Sequence, residues 1–393
     1  MDIHIQTILV FLLIIIVGYI SGNYTVVEEN RLVLRRGERR FLTPSVYVII
    51  ILITLLSGLR FDLGTDYLGY LDDYTSGVEA AGRGHEFLFH YISKIFYDLK
   101  IHPVIYFGLW AFIQITLFLY AFKDYKKVYP YLILFLILNG TYDSWMNGIR
   151  QEIASCIWLC SLIAIEKRKF WLYFVFLIVE YCFHRSSVFL ILMYPFLTRY
   201  KSIFDKIPVQ IVFLVIAFAI RFFLGSSLSS LDRLLSLYTT YLGGDAGLYE
   251  HYDASSIATQ IQNRTVGTGM AYIFKFLIYL SIILQSDKIK SFFNSDRFNV
   301  FYVLFFLGVL FEYMFPDGAI NLRRPFMYFT VFLTIMLAFY LYYLRKKKNF
   351  ILLFVVVVGY FGLFFINRWK APLDVHMMFN FYFQSNIINY YGW

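Results

Sequence analysis

Two stretches of the chain, ILVFLLIIIV (Ile8–Val17) and ILLFVVVV (Ile351–Val358), consist entirely of apolar residues. A helix formed by either stretch is apolar on every side, which is typical of a membrane span or of a helix in a protein core. Similar apolar blocks recur between them along the chain. These blocks decide the class of fold, and the composition decides whether water or a lipid bilayer surrounds them.

The composition excludes a water-soluble globular fold. Of the 393 residues, 60% are hydrophobic and 21% aromatic, and only 16% are charged, whereas a soluble domain carries roughly 25% charged residues. The three cysteines (Cys156, Cys160 and Cys182) form neither a disulfide framework nor a zinc-binding pattern. The net charge of +9 is typical of a membrane protein with basic cytoplasmic loops, so no nucleic-acid partner is expected.

We predict an all-α polytopic membrane protein with about twelve transmembrane helices in a single domain that covers residues 1–393. A span needs about 20 apolar helical residues, with a range of roughly 17–25. The first apolar block follows no basic segment and precedes no small-residue cleavage site, so we interpret it as a retained span. The predicted spans lie near residues 3–20, 42–59, 103–122, 129–141, 149–165, 170–183, 186–197, 208–224, 270–286, 298–315, 325–344 and 350–366.

The distribution of basic residues predicts the orientation of these spans. With the N-terminus outside, six loops face the cytoplasm, and they contain 21 of the 35 lysines and arginines but only 8 of the 26 acidic residues. Such an excess follows the positive-inside rule. Both termini are therefore predicted to be extracytoplasmic, and all seven histidines fall on the outer side. The cytoplasmic loops are residues 21–41, 123–128, 166–169, 198–207, 287–297 and 345–348.

Two long loops are predicted on the outer side, at residues 60–102 and 225–269. Loops of this length are uncommon unless they have a function. The first contains amphipathic stretches at Tyr67–Tyr74 and Phe87–Tyr97, which are expected to lie in the membrane interface. The second is polar and contains several glycines. No internal repeat divides the sequence, which favours one membrane domain.

Arginines lie at the outer ends of several predicted spans. Odd-numbered spans run inwards, so the helix N-termini that carry Arg150, Arg185 and the pair Arg323–Arg324 face outwards. A helix N-terminus offers free N–H groups and a partial positive charge, and a planar guanidinium suits phosphate oxygens. These ends predict an anion site at the outer leaflet, suited to a lipid diphosphate. Alternatively, the arginines contact ordinary lipid phosphates or pair with acidic residues of the spans. These acidic residues are Glu152, Glu180 and Glu312.

His184 is the candidate general base or acid. The ordinary pKa of histidine, about 6.5, lies near neutrality, and Glu180 precedes His184 by one helical turn. A structural hydrogen bond is the alternative role for a histidine at a helix end. Asp62 and Asp66, four residues apart, could accept sugar hydroxyls, bind a cation or cap a loop.

No metal site and no cofactor are expected. The sequence His85-Glu86-Phe-Leu-Phe-His90 resembles a zinc-protease helix, but its second histidine comes five residues after the first instead of four. That spacing turns the second histidine away from the shared helix face. A phosphate-binding glycine loop, a kinase motif set and a Ser-His-Asp order are all missing from the sequence.

Five short segments follow one another in a recognisable order. They are Arg60-Phe-Asp-Leu-Gly-Thr-Asp66-Tyr67-Leu-Gly-Tyr70, Glu86-Phe87, Asn147-Gly-Ile-Arg150-Gln-Glu-Ile-Ala154, Phe183-His184-Arg-Ser-Ser187 and Arg323-Arg324-Pro-Phe-Met-Tyr328. Together, over about residues 60–330, they resemble the EpsG family of bacterial polysaccharide-assembly proteins. One departure is Arg185, because the family usually has a small residue directly after the histidine.

The resemblance implies a Wzy-like polymerase of the O-antigen, capsule or exopolysaccharide type, with a fold similar to the GT-C glycosyltransferases. Such an enzyme moves a growing glycan from undecaprenyl diphosphate onto the non-reducing end of a new lipid-linked repeat unit. The reaction occurs on the outer face of the bacterial plasma membrane and needs no cofactor or metal. The expected partners are the lipid-linked oligosaccharide, membrane lipids, a chain-length regulator and other polysaccharide-assembly proteins.

The resemblance also implies roles for individual residues. His184, or alternatively Asp66, would take the proton from the acceptor hydroxyl, while Arg150 and Arg323 would hold the diphosphate. Negative charge develops on this leaving group, and fixed positive charges stabilise it. The further residues implied in binding the substrate are Arg324, Arg185, Arg60, Glu152 and Tyr67.

Three other functions stay open at this point. A flippase for the same lipid-linked glycan is expected to show two similar halves and a polar central path, whereas the polar residues of this chain cluster outwards. A membrane O-acyltransferase is expected to place a histidine near the inner face, whereas all seven histidines are predicted outside. A structural or chain-length partner without catalysis is compatible with the sequence.

Overall fold

Most of the residues that the structure describes lie in helices. The computed structural model describes residues 2–36, 40–77, 86–200, 204, 206–226, 269–315, 323–371 and 376–384. Within these ranges, the structure describes the backbone but not the side chains of residues 32–36, 200, 223–226 and 324. The chain divides into two compact units, residues 1–191 with 337–393 and residues 192–336. The single domain over residues 1–393 stays a prediction.

The first unit combines nine helices from the first half of the chain with one helix and one strand near its end. In order these are α1 (Ile3–Arg36), α2 (Pro44–Leu59), β1 (Arg60–Phe61), α3 (Tyr67–Ser76), α4 (Phe87–Asp98), α5 (Pro103–Ala121), a 3₁₀ segment (Lys123–Val128), α6 (Tyr129–Leu138), α7 (Thr141–Asn147), α8 (Ile149–Glu166), α9 (Phe170–Phe183) and a second 3₁₀ segment (Arg185–Leu192). The elements near its end are a helix at Phe350–Lys370, β2 (Asn380–Phe381) and a 3₁₀ turn (Tyr382–Gln384).

The second unit is helical throughout its described part. It begins with a helical turn (Met193–Pro195) and a π-helical turn (Phe196–Tyr200). Its longer helices are α10 (Ile207–Ser226), α11 (Met270–Leu284), α12 (Ser286–Phe293) and α13 (Asp296–Met314). A 3₁₀ turn (Arg324–Phe326) leads into α14 (Met327–Lys346), which continues into the first unit, where α15 (Phe350–Lys370) follows.

Within the described residues, five helices are long and apolar enough to cross a membrane, and a sixth is possible if the bent pair α11–α12 forms one span. The five lie at Ile3–Arg31, Pro103–Ala121, Asp296–Met314, Met327–Lys346 and Phe350–Lys370. Three shorter apolar helices lie at Pro44–Leu59, Phe170–Phe183 and Ile207–Phe222. The chain is therefore an all-α polytopic membrane protein, and the number of twelve spans stays a prediction.

The first helix is longer than its predicted span. A cytoplasmic loop was expected from residue 21, whereas α1 continues to Arg36 without a break. Its 34 residues extend over about 51 Å, well beyond a hydrocarbon core of about 30 Å. Gly22 supports this extension, because a Cβ there would lie 2.7 Å from the nitrogen of Pro130 at the start of α6. The close packing of α1 on α6 thus continues beyond the apolar stretch.

The two predicted outer loops differ in what the structure describes. The loop at residues 60–102 contains β1, α3 and α4, so both amphipathic stretches form helices. The loop at residues 225–269 lies, apart from its ends, outside the described residues. The position of either loop in the membrane interface stays a prediction.

A small sheet joins distant parts of the first unit. Strand β1 pairs with β2 in antiparallel register, with Arg60 opposite Phe381 and Phe61 opposite Asn380. Just before β1, Gly58 lets α2 approach α5, because a Cβ at this position would lie 2.5 Å from the carbonyl oxygen of Val104. These contacts fix the segment that leads from α2 into α3.

Candidate functional site

One carboxylate in the first unit joins an arginine and a histidine from two different helices. Glu86 Oε2 accepts a hydrogen bond from Arg150 Nη1 at 2.6 Å, and Glu86 Oε1 lies 2.6 Å from His184 Nδ1. The side chains of Arg150 and His184 are each 24% exposed, and that of Glu86 is 12% exposed. The three groups therefore form one partly buried cluster, called the Arg150–Glu86–His184 cluster below.

Each member of the cluster stands at a helix end, where the backbone changes direction. Arg150 is the second residue of α8, which begins after Gly148. Glu86 precedes the first residue of α4. His184 follows the last residue of α9 and has an extended backbone, with φ −156° and ψ 122°. Because His184 has left the helix, its side chain does not follow the helical spacing from Glu180.

The electrostatics of the cluster keep Glu86 ionised. Burial alone would raise the pKa of this carboxyl group, but the hydrogen bond with His184 and the charge of Arg150 outweigh it and lower the pKa to about 2. An ionised carboxylate only accepts hydrogen bonds. His184 Nδ1 must therefore carry the proton of the bond to Glu86.

This geometry leaves the other imidazole nitrogen for chemistry. In a neutral imidazole with a proton on Nδ1, Nε2 is an acceptor and can take a proton. The Glu86 carboxylate fixes the ring and stabilises the imidazolium that results, as the orienting carboxylate of a catalytic triad does. The cluster can therefore serve general base catalysis beside a guanidinium that binds anions.

Aromatic side chains hold the guanidinium of Arg150 in place. Arg150 Nε donates to Tyr70 Oη at 3.4 Å, and its Cζ lies 5.5 Å from the Tyr70 ring centroid and 5.8 Å from that of Phe89. Phe89 in turn stacks on Trp110 at 4.5 Å. Burial raises the pKa of Tyr70, so this hydroxyl keeps its proton at neutral pH. The guanidinium is thus oriented by hydrogen bonds and ring contacts together.

The segment before α3 contacts the end of α7, two residues before α8 begins. The side-chain oxygen of Asn147 accepts from Thr65 Oγ1 at 2.7 Å and from the backbone N–H of Asp66 at 2.9 Å. Asp66 itself is exposed. Tyr67 is buried and stacks on Phe107 at 4.6 Å. Asp66, the second predicted base, is therefore accessible, whereas Tyr67 is a packing residue in this structure.

Arg60 has a structural environment. Its side chain is buried, and its two terminal nitrogens donate to the carbonyl oxygens of Ser57 at 2.8 Å and Met146 at 3.2 Å. Its Cζ also lies over the rings of Tyr67 and Phe107, at 5.3 and 5.0 Å. These contacts place Arg60 as a support for the α2–α7 contact, and the contact of Arg60 with substrate stays a prediction.

The acidic partners suggested by helical spacing differ from those in the structure. Arg150 and His184 both pair with Glu86, while Glu152 and Glu180 are buried within α8 and α9. The carboxylate oxygens of Glu180 have no hydrogen-bond partner among the described residues. Spacing along one helix cannot reveal a partner that a different helix supplies.

In the second unit, Arg323 forms an ion pair with Glu312. This is the alternative pairing that the sequence allowed for that arginine. Nearby, Arg221 Nη1 donates to the carbonyl oxygen of Phe315 at 2.5 Å, and its Cζ lies 5.2 Å from the ring of Tyr272.

The side chain of Arg324 lies outside the described residues. Arg185 in the first unit is partly exposed at the start of its 3₁₀ segment.

Two residues of the cluster region were missed as site residues. Glu86 occurs in the segments that resemble the family, but spacing gave it no role. Tyr70 ends the first of those segments. Among the described residues, no group of three or more His, Cys, Asp or Glu could hold a metal ion, and His85 falls outside them.

Comparison with known proteins identifies the family. The EpsG family model matches residues 45–385, which is most of the chain and includes the Arg150–Glu86–His184 cluster. No curated protein and no solved structure matches the chain. The protein therefore belongs to the EpsG family, whose members are membrane proteins of polysaccharide biosynthesis.

Proposed function

We propose that this protein is a polysaccharide polymerase that transfers a growing glycan from undecaprenyl diphosphate to a new lipid-linked repeat unit. The observation that carries the proposal is the Arg150–Glu86–His184 cluster, which combines an anion-binding group with an oriented imidazole. Membership of the EpsG family supports polysaccharide biosynthesis as the setting. The enzyme is then a glycosyltransferase whose donor and acceptor are both lipid-linked.

Arg150 is proposed to bind the diphosphate of the donor. A guanidinium offers a planar fork of N–H groups that matches two phosphate oxygens. Arg150 is the second residue of α8, and the N-terminus of an 18-residue helix adds a partial positive charge. Glu86 competes with the diphosphate for this arginine, so binding would exchange one hydrogen bond of Arg150 for another.

The chemistry follows from these two groups. A hydroxyl at the non-reducing end of the new repeat unit attacks the anomeric carbon of the donor glycan and forms a C–O bond. The bond from this carbon to the diphosphate breaks, and the carrier diphosphate leaves with the electron pair. His184 Nε2 takes the hydroxyl proton, while Arg150 stabilises the charge on the leaving group. Glu86 positions the imidazole and stabilises its charged form.

The other predicted site residues take supporting roles in this proposal. Asp66, which is exposed, is the second candidate base. Arg323 would contribute to diphosphate binding in the second unit when it exchanges Glu312 for a phosphate. Arg60 and Tyr67 would keep the segment before α3 in place. The remaining proposed substrate contacts are Arg185, Arg324 and Glu152.

The proposed setting is the outer face of the bacterial plasma membrane. Twelve spans with both termini outside, in a GT-C-like arrangement, bring the ends of α8 and α9 that carry Arg150 and His184 to that face. The proposed partners are undecaprenyl-diphosphate-linked oligosaccharide, membrane lipids, a chain-length regulator and other assembly proteins. Neither a cofactor nor a nucleotide sugar takes part in the proposed reaction.

The test is a gel of lipid-linked glycans from cells that lack this gene. The cells are complemented at matched protein levels with wild type, Arg150→Ala, His184→Asn or the control Lys94→Ala. Among the residues that the structure describes, Lys94 pairs with Asp98 on α4, and both side chains are about half exposed, so its loss should not affect activity.

We expect wild type and Lys94→Ala to restore a ladder of polymer lengths. Arg150→Ala and His184→Asn should accumulate single repeat units, with polymer reduced by a factor of about 100–1,000. A full ladder from both variants would show that the cluster is not the active site. A wild-type gene that leaves polymer length unchanged would favour a flippase, an acyltransferase or an accessory protein instead.

A further inference from the structure

A second carboxylate–imidazole pair lies in the first unit and takes no part in the proposed reaction. Asp62 Oδ1 lies 2.7 Å from His376 Nδ1, and their side chains are 28% and 31% exposed. The two residues are 314 positions apart in the chain and are brought together beside the β1–β2 sheet. The arrangement repeats the chemistry of Glu86 and His184, with a carboxylate against Nδ1 of an imidazole.

Both members of this pair have an unusual backbone. Asp62 has φ 54° and His376 has φ 51°, in the left-handed region that residues with a side chain seldom adopt. The backbone N–H of Gly64 donates to the carbonyl oxygen of His376 at 2.8 Å and fixes this arrangement. Such conformations persist where the surroundings hold them, and they concentrate at ligand-binding and catalytic sites.

Asp62 stands on the segment between β1 and α3, which contacts the end of α7. Asp62 lies in the same segment as Thr65 and Asp66, whose contacts with Asn147 join this segment to the residues just before Arg150. Under the proposed polymerase function the ligand is an oligosaccharide, whose many hydroxyl groups suit a carboxylate–imidazole pair.

The charge of the pair favours a neutral ligand. Asp62 contributes a carboxylate directly beside the imidazole, which disfavours a phosphate. Arg368 donates to the carbonyl oxygen of Met377, next to His376, but its guanidinium also forms an ion pair with Asp143. An aromatic surface is available in the same terminal segment, where Phe383 is 63% exposed and stacks on Phe381 at 5.0 Å.

We propose that Asp62 and His376 form a second binding site, which takes a hydroxyl group of the acceptor glycan. This inference rests on the proposed polymerase function and deepens it. Asp62 accepts from Nδ1–H and orients the ring, and His376 Nε2 hydrogen-bonds the sugar hydroxyl, which can donate or accept. The site positions the acceptor, and no proton is transferred there.

The substitution His376→Asn separates this role from a purely structural one. Asparagine keeps a side-chain N–H donor near the position of Nδ1 and tolerates the left-handed backbone, so the bond to Asp62 can be retained. It removes the group at the position of Nε2. Asp62→Asn is the second variant, because it keeps the backbone preference and a side-chain oxygen while it removes the charge that orients the ring.

The matched control is His4→Asn. His4 Nδ1 bonds the backbone carbonyl oxygen of Arg368 at 3.0 Å, instead of a carboxylate. It therefore reports the effect of the same chemical change at another histidine of the first unit.

The assay uses the full-length protein in lipid nanodiscs, and its probe is single lipid-linked repeat units purified from cells that lack the gene. The measured quantities are the maximal elongation rate and the half-saturating probe concentration.

We expect His376→Asn to raise the half-saturating concentration about tenfold with a maximal rate within about twofold of wild type, and Asp62→Asn to raise it less. His4→Asn should match wild type. Normal half-saturation in both site variants would overturn the proposal, as would a loss of maximal rate alone, because that result indicates a structural role.

Arg150→Ala in the same assay distinguishes failure of this proposal from failure of the proposed function. If it elongates normally, the polymerase site is wrong, and if it is inactive while His376→Asn matches wild type, only the second site is wrong.

Discussion

Arg60 and Arg150 both lie at helix ends in the first unit, and both were predicted to bind substrate, but their surroundings differ. Arg60 is buried and donates to two backbone carbonyl oxygens. Arg150 keeps a quarter of its side chain exposed, at 24%, and pairs with a carboxylate. Carbonyl oxygens of the backbone cannot leave their arginine without breaking the fold, whereas a side chain such as Glu86 can rotate away.

The comparison teaches that the partner of an arginine separates a structural role from a binding role. A phosphate can replace a carboxylate, because two oxygens of either group can accept from the planar fork of the guanidinium. Arg323 pairs with Glu312, so its partner is also a carboxylate, as that of Arg150 is. Position at a helix end, which all three arginines share, does not distinguish them.

The largest expected effect tests the difference between Arg60 and Arg150 directly, through the free energy of unfolding. Arg60→Met should lower the free energy of unfolding by about 4 kcal/mol, because it leaves two buried carbonyl oxygens without donors. Arg150→Met should lower it by only about 1 kcal/mol, since Glu86 keeps its bond with His184. The measurement is chemical unfolding of the purified proteins in detergent. Equal losses in the two variants would remove the distinction between the two arginines.

A second prediction concerns the free energy of unfolding, which depends on pH through the ionisation of Glu86. Its pKa in the folded protein is about 2, below the usual value of 4.5, so its ionised form stabilises the fold at any pH above about 4.5. This contribution, about 3 kcal/mol, is lost as the pH falls from 4.5 through 2. Glu86→Gln should therefore be less stable than wild type at pH 7, and the two should converge near pH 2.

The control for this measurement is Asp98→Asn, which removes an exposed carboxylate on the same helix, α4. Its unfolding curve should follow that of wild type at each pH, because exposed ion pairs contribute little. A constant difference between Glu86→Gln and wild type over the whole pH range would contradict the assignment of Glu86 as a buried, ionised bridge.

The smallest expected effect concerns the orientation of Arg150. Tyr70→Phe removes the hydroxyl that accepts from Arg150 Nε at 3.4 Å but keeps the ring below the guanidinium. Because this hydrogen bond is long, we expect polymer synthesis to fall only about threefold. The amount of polymer on a gel, normalised to protein level, measures it. A loss as large as that of Arg150→Ala would mean that Tyr70 contacts the substrate itself.

The helices were predictable because apolar composition is a local property of the chain. Each predicted span coincides with one α-helix, except the span at residues 186–197. There the structure has 3₁₀ and π-helical turns around Pro195, a residue that removes a backbone donor and disturbs regular α-helical bonding. The end of α1 was also misjudged, because its last turns are polar and depend on packing instead of hydrophobicity.

The candidate site was predictable only in part. Arg150 and His184 stand out in sequence because a charge at the end of an apolar helix is rare. Their common partner does not, since Glu86 is 64 residues from Arg150 and 98 from His184. Helical spacing favoured Glu180 for His184, and Glu152 was one of the acidic residues with which the arginines could pair. Both are buried in their own helices. The pair of Asp62 and His376 needs a contact over an even longer separation.

The β1–β2 sheet also has a consequence for the timing of assembly. Its partners, Arg60 with Phe381 and Phe61 with Asn380, leave the ribosome about 320 residues apart, which corresponds to roughly 15–60 s of synthesis. During that interval the first nine helices can insert and pack, while the segment before α3 waits for its strand. Under the proposed function, activity is thus expected late, when β2 emerges, and an unfinished chain in the membrane would not elongate glycans prematurely.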